Sequence, residues 1–223
     1  MKILVIGLDC GTPDIAFTHS GMPNLRRLMQ SGSYGQLESV VPPITVPAWM
    51  CMATSQDPGS LGVYGFRNRT SYSYDRLGIV NSTSISAPAI WDHLGAAGWR
   101  TVIVGVPPCF PPRTVNGASV GCFLTPDTTT AEFTFPGSLS DEIRHVAGDY
   151  PVDVKNFRTD NKDWLKTQID VMTRKHFEVI RHLMTSKPWD YFQFVEIGLD
   201  RIQHGFTLFP YTTLFRSDRK SVV

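Results

Sequence analysis

Apolar residues follow two rhythms along this chain. Ile3 to Leu8 is an unbroken aliphatic run ended by Asp9. A run without alternation predicts a strand covered on both faces. Thr101–Val106 and Tyr191–Val195 predict further strands, as do Gln36–Val41 and Val120–Leu124. Between them the apolar period lengthens to three and four. Leu25, Leu28 and Met29 predict a helix over Pro23–Gln30, with Pro23 in its first turn and Gly32 as its stop. Pro47 opens a helix over Ala48–Thr54, and Ala89–Ala97 and Pro136–Val146 predict two more. The longest helix is expected over Asp160–Ser186. There Leu165, Ile169, Met172, His176, Val179 and Leu183 form one stripe, which reads as core packing. Gly59–Asp75 and the segment holding Pro107, Pro108, Pro111 and Pro112 read as loops. Strands alternating with helices predict an α/β domain: a mostly parallel central sheet with helices on both faces. Such sheets gather ligands beyond the carboxyl ends of their strands.

Composition narrows the function classes. The 223 residues are 42% hydrophobic, enough for a core, so the chain is not disordered. The length suits one medium domain or part of a larger one. Lys plus Arg is 21 against 20 for Asp plus Glu, a net charge of +1 with no run of like charges. That balance argues against a nucleic-acid or anionic-membrane partner. No segment approaches the roughly 20 apolar residues that span a bilayer. The first apolar run is too short for a signal peptide, so a cytoplasmic location is expected. Cys10, Cys51, Cys109 and Cys122 are scattered without a Cys-x-x-Cys pair. They read as reduced thiols and mostly core filler, not as a zinc knuckle or a thioredoxin-like pair.

Candidate chemistry lies where strands end. Asp9 follows the first strand. It is either a divalent-ion ligand, since carboxylate oxygen suits magnesium and zinc, or an Asx-turn aspartate. Thr45 lies two residues before the helix opened by Pro47. It is either a helix cap or a hydroxyl placed to attack a phosphoryl group bound at the helix N-terminus. Asp200 and His204 are spaced to share one helix face. They are either half of a metal site or a surface pair. Arg67 and Arg69 sit in a loop and suit a phosphate or plain solvation. His176 reads as a core residue. His19, His93, His145 and His182 have no partner at ligand spacing.

The order of these residues resembles the alkaline phosphatase superfamily, and within it the type I phosphodiesterase/nucleotide pyrophosphatase group. The stretches that carry the resemblance are KILVIGLDCGTPD, MPNLRRLMQSGSYGQLESVVPPITVPAW, LGVYGFRNR and WDYFQFVEIGLDRIQHGF. They span Lys2 to Phe206 and are specific as a set. The resemblance implies a metal-dependent phosphohydrolase with two divalent ions, zinc first and manganese or iron as alternatives. Asp9 and Thr45 would serve one ion, with Thr45 as nucleophile, and Asp200 and His204 the other. Asn68 would donate to a phosphoryl oxygen, and Arg67 and Arg69 would join it at the substrate. The substrate would be a small phosphate ester or nucleotide, with phosphomutase chemistry equally open and oligomeric state undetermined. Thr45 cannot become formylglycine, which argues against sulfate-ester cleavage.

Two departures qualify what the resemblance implies. Relatives usually carry a small residue such as Gly where Cys10 stands. They also carry, further along, an Asp-His pair and another ligand histidine that have no counterpart here. Residues 1–206 would therefore be the N-terminal part of an alkaline-phosphatase-like catalytic domain, truncated, with half of its two-metal site. Residues 207–223 do not continue the pattern, and FPYTTLFRSDRKSVV resembles a translated sequencing adapter, so this tail is expected to be artefactual. An inactive fragment with weak metal binding is the alternative expectation. A further one is the N-terminal half of an actin-like sugar kinase, whose phosphate loop Ile6 to Thr12 resembles, though no second such loop follows.

Overall fold

A computed structural model describes residues 1–208. In chain order the elements are β1 (Ile3–Leu8), α1 (Pro13–Thr18), α2 (Pro23–Ser31), α3 (Thr45–Thr54), α4 (Pro58–Leu61), β2 (Arg67–Arg69) and β3 (Leu77–Ile79). Then come α5 (Ile90–Ala96), β4 (Thr101–Val104), β5 (Gly117–Val120), β6 (Thr134–Phe135), α6 (Leu139–Ala147), α7 (Lys162–Ser186), β7 (Tyr191–Glu196) and α8 (Gly198–Gln203). The last helix continues into a π-helical turn, His204–Leu208. Beyond its first two residues, the tail expected over 207–223 lies outside the described residues.

Five strands form one sheet in the order β1-β7-β4-β5-β6. All neighbours are parallel except β6, which runs antiparallel to β5. The expected mostly parallel α/β architecture is therefore the one observed. Strand periodicity sorts side chains onto two faces. On one face Val102, Val104, Phe192 and Phe194 pack against Leu139 and Ile143 of α6 and Val179 and Leu183 of α7. On the other, Ile103, Tyr191 and Val195 pack against Val46 and Met50 of α3 and Trp91 of α5. The predicted stripe of α7 is buried throughout. Asn161 caps that helix by accepting from the Trp164 N–H. Among the described residues no helix is long and apolar enough to cross a membrane.

Several expectations need correction. Gln36–Val41 is not a strand: no ladder partner takes it up, and Leu37 and Val41 are 89% and 85% exposed. The strand expected at Val120–Leu124 ends at Val120 instead, because the ladder starts at Gly117 opposite Thr101. Gly59–Asp75 is not loop throughout, since α4 and β2 interrupt it. β1 has the predicted bounds, but only one of its faces is covered. Ile3 and Val5 pack beside Trp49, whereas Leu4, Ile6 and Leu8 on the other face are exposed, Ile6 by 54%. Among the described residues β1 pairs with β7 alone, so its outer edge is open.

Phe192 is fully buried on β7, between β1 and β4, and its ring meets those of Trp189 and Phe194. Phe192→Ala should cost about 3–5 kcal/mol in equilibrium urea unfolding. Leu37→Ala should stay within about 0.5 kcal/mol of the parent. A large loss at Leu37 would contradict its placement outside the sheet.

Candidate active site

The site grows from the register of two neighbouring strands. β1 and β7 run parallel with Leu8 opposite Glu196, so both chains leave the sheet side by side. The Asp9 N–H still donates to the Glu196 carbonyl, at 3.0 Å. A tight turn follows, closed by Gly11 N–H on the Leu8 carbonyl at 3.1 Å, with Cys10 at φ 57°. After β7 the chain enters α8. Glu196 Oε1 accepts from the Gly198 N–H at 2.8 Å and from the Thr173 hydroxyl at 3.0 Å. Only a glycine fits there, because a β-carbon on residue 198 would lie 2.2 Å from Thr173 Oγ1. Glu196 Oε2 meets His176 Nδ1 at 2.9 Å, and His176 Nε2 lies 2.7 Å from the Pro151 carbonyl. A carbonyl only accepts, so Nε2 is the donor to Pro151. His176 is thus buried as expected, but as a strut fixing the start of α8 and not as apolar filler.

Asp200 lies in the first turn of α8, 4% exposed. His204, one turn on, approaches Asp200 Oδ1 with Nε2 at 3.2 Å, as the i,i+4 spacing predicts. The Cys10 thiol donates to the same Oδ1 at 3.1 Å. The ligand atoms of Cys10, Asp200 and His204 all lie within 4.8 Å of one another. Gln203 Nε2 donates to the Cys10 carbonyl at 2.6 Å, tying the turn after β1 to α8. Arg201 pairs with Asp200 Oδ2 and holds Asp153 in a two-bond fork at 2.5 and 2.8 Å. Its guanidinium lies over the Phe157 ring, 4.4 Å from the centroid, and Phe157 also meets the His204 ring edge-on.

The third contributor is α3. The helix begins at Thr45, two residues earlier than expected, and Pro47 sits in its first turn, where a missing N–H breaks no intrahelical bond. Thr45 is therefore the first helical residue and not a residue preceding the helix. Ile44 at the cap offers no side-chain acceptor, and the first turn holds no acidic residue. Trp49, one turn along on the same face as Thr45, donates its indole N–H to Asp9 Oδ1 at 3.4 Å. Trp49 gets that close because residue 7 is glycine: a β-carbon there would lie 2.5 Å from Trp49 Cη2. Arg67, Asn68 and Arg69 lie on the β2–β3 hairpin. Asn68 donates to the Gly62 carbonyl at 2.8 Å and Arg69 lies over Tyr74, so their contacts are within their own loop. The base of the hairpin leans toward the rim, with Phe66 edge-on to Phe123, over which Arg201 lies.

Charge is crowded here. Burial, and then the neighbouring Asp200 charge, push the Asp9 carboxyl up to about 6, against the Trp49 hydrogen bond and the Arg201 charge. Burial also raises the Asp200 carboxyl, but hydrogen bonds from His204 and Cys10 and the Arg201 charge outweigh it and hold Asp200 below the ordinary value. Burial, and then Asp200, raise the Cys10 thiol to about 12. Two buried carboxylates that raise each other's cost of ionisation, with Arg201 shared between Asp200 and Asp153, favour a further cation. Carboxylate, imidazole and sulfur donors suit a divalent transition ion. The donor set at this rim therefore fits a metal.

The structure brings Asp9, Asp200 and His204 to one rim, with the Thr45 helix beside them, and leaves Asn68 and Arg69 engaged elsewhere. Cys10, read as core filler, is at the rim instead, because the turn after β1 swings it toward α8. Sequence reasoning also missed Trp49, Arg201 and Glu196. Trp49 is four residues from Thr45 and could have been found from that spacing. Arg201 and Glu196 carry no motif and act only through tertiary contacts.

A mostly parallel α/β sheet with carboxylates and imidazole at its carboxyl rim is the class these features define. Residues 3–214 match the model of the type I phosphodiesterase / nucleotide pyrophosphatase family, and the chain belongs to that family. The Asp9 loop thus falls in a phosphodiesterase frame and not in that of a sugar kinase. No curated protein matches the chain. Among solved structures it is similar to phosphonoacetate hydrolase from Sinorhizobium meliloti 1021 in complex with phosphonoformate, at 20% identity and a TM-score of 0.63. The same enzyme in complex with phosphonoacetate matches at 19% identity and a TM-score of 0.63. Each match covers 93% of this chain and 49% of that one, so this chain spans about half the length of those structures.

In the absence of metal, Asp9→Asn should stabilise the chain. Asp9 holds its proton more tightly folded than unfolded, so its ionisation costs stability as pH rises from about 4 to about 6. A shift of that size corresponds to roughly 3 kcal/mol at most at neutral pH. Urea unfolding with a chelator should show the variant gaining on the parent at pH 7 and converging with it near pH 4. A variant no more stable at pH 7 would contradict the crowding of carboxylates.

Proposed function

We propose that this chain is the nucleophile-bearing part of a metal-dependent phosphohydrolase acting on small phosphate esters or nucleotides. The observation that carries the reading is the convergence of Asp9, Asp200 and His204 on one rim, with the first turn of α3 tied to it through Trp49. Asp9 and Thr45 would hold one divalent ion, and Asp200 and His204 a second, with zinc favoured and manganese or iron as alternatives. Bound there, such ions supply positive charge to the reacting oxygens and lower the pKa of a coordinated hydroxyl.

The chain's own residues do the rest. Thr45 Oγ1 gives its proton to solvent and attacks phosphorus, forming an O–P bond as the bond from phosphorus to the ester oxygen breaks; that oxygen leaves with the electron pair and takes a proton from water. Water then breaks the phosphoryl-threonine ester and restores the hydroxyl. An alcohol in place of water would make the same intermediate serve a mutase. The Thr45 and Val46 N–H groups at the start of α3 receive no side-chain cap from Ile44, and a phosphoryl oxygen suits them. Asn68, Arg67 and Arg69 would bind substrate after turning from their present partners. Trp49 orients Asp9, Glu196 fixes the start of α8, and Arg201 aims Asp200. The four free thiols fit a reducing cytoplasm.

The coverage of half the similar structures favours a second reading for the chain by itself: it binds one ion and does not turn over. In a protein that completes this fold, p-nitrophenyl phosphate mono- and diesters should be hydrolysed with added zinc or manganese. Thr45→Ala should lower kcat by on the order of 10³-fold or more, while Thr45→Ser keeps measurable turnover. Undiminished turnover in Thr45→Ala would remove Thr45 from the chemistry. For the chain by itself, calorimetric titration with zinc should give one ion per chain; two tight sites would overturn the second reading.

A further inference from the structure

Cys10 occupies a turn position that suits a different residue. In the turn from Leu8 to Gly11 it is the third residue, with φ 57°, a conformation that glycine adopts freely and other residues resist. The backbone nonetheless delivers a sulfur atom to the rim. That sulfur stands 3.1 Å from Asp200 Oδ1, the same oxygen that His204 Nε2 approaches at 3.2 Å. The three ligand atoms lie within 4.8 Å of one another. A tetrahedral zinc ion, with bonds of about 2.1 Å to nitrogen or oxygen and about 2.3 Å to sulfur, separates its donors by roughly 3.4–3.6 Å. The donors at Asp200 Oδ1 therefore need to part by only a few tenths of an ångström to receive one.

We propose that the Cys10 sulfur is a third ligand of the ion held by Asp200 and His204. This rests on the reading of that pair as metal ligands and names the class of ion: a thiophilic one such as zinc, in preference to magnesium or manganese. Two contacts prepare the site. Arg201 occupies Asp200 Oδ2, so the carboxylate presents one oxygen and binds through a single atom. The Gln203 amide on the Cys10 carbonyl fixes the turn to the helix that carries the other two ligands. On binding, the thiol proton, now donated to Asp200, leaves for the buffer and a sulfur lone pair takes its place on the metal, with no change of oxidation state. Three protein ligands leave a tetrahedral ion one position for an outside oxygen.

The test uses cobalt(II) as an optical stand-in for zinc, titrated anaerobically into the metal-free 223-residue chain. The parent should show a near-ultraviolet thiolate-to-cobalt charge-transfer band together with visible d–d bands. Cys10→Ser and Cys10→Gly should both lose the ultraviolet band and bind cobalt about tenfold or more weakly, since even outer partners of a ligand are worth that much. Their preference for zinc over manganese should narrow. Glycine suits the φ of this turn, so Cys10→Gly keeps the fold, and unchanged far-ultraviolet circular dichroism checks it. A parent that shows visible bands without the ultraviolet band would overturn the sulfur ligand and leave the Asp200–His204 pair standing. So would an ultraviolet band that survives in both variants. Absence of any cobalt spectrum would overturn the proposal and the metal reading of that pair together.

Discussion

The parallel pairing of β1 with β7 is the constraint on which the rim depends. Residues almost two hundred positions apart leave the sheet at one point because Leu8 stands opposite Glu196. A shift of one residue along either strand would invert its faces, sending Val195 toward α7 and Phe194 toward α3. The core on both faces of β7 and on the one covered face of β1 thus enforces the register, and the register places Asp9 and Cys10 beside the first turn of α8. Glu196 does double work here. Its carbonyl receives the Asp9 N–H, and its side chain receives the first N–H of α8 and the Thr173 hydroxyl. The last residue of a strand is therefore the hub of the polar site.

The polar site and the apolar core are joined through two small residues. Gly7 admits the Trp49 ring against β1, and Gly198 admits the Glu196 carboxylate beneath α8. Each removes a β-carbon where a functional element must come close to backbone. The first sets α3 against Asp9, and the second sets α8 against the sheet. A methyl group at residue 7 would press on the Trp49 ring that meets Asp9, and one at residue 198 would collide with the Thr173 hydroxyl and the Glu196 carboxylate.

Much of this was legible in the sequence, for identifiable reasons. β7 and α7 were readable because complete burial and a long apolar stripe leave strong patterns. Asp200 and His204 were readable because a helix turns their spacing into contact. Asp9 was readable as the residue after the first strand because the apolar run stops there, and the helix beside Thr45 was readable from Pro47, though it begins earlier. Gln36–Val41 misled because its apolar residues lie on the surface, where pattern has no packing to enforce it. The ladder of β5 began earlier than its apolar run because Gly117 and Ala118 pair with β4 without announcing themselves. Cys10 was invisible as a rim residue, since its position follows from a left-handed turn and from α8, which lies far along the chain. Arg201 and Glu196 gain their roles only from partners such as Asp153, Thr173 and His176 that no local spacing links to them.

One strand both carries Asp9 and borders the described sheet. Its unpaired edge and the bare side chains of Leu4, Ile6 and Leu8 invite a neighbour. Whatever settles against that border would stiffen the backbone directly beneath the Asp9 carboxylate and the Cys10 turn. The margin of the sheet and the turn that holds the Asp9 carboxylate are one continuous piece of backbone, so what happens at the first is felt at the second.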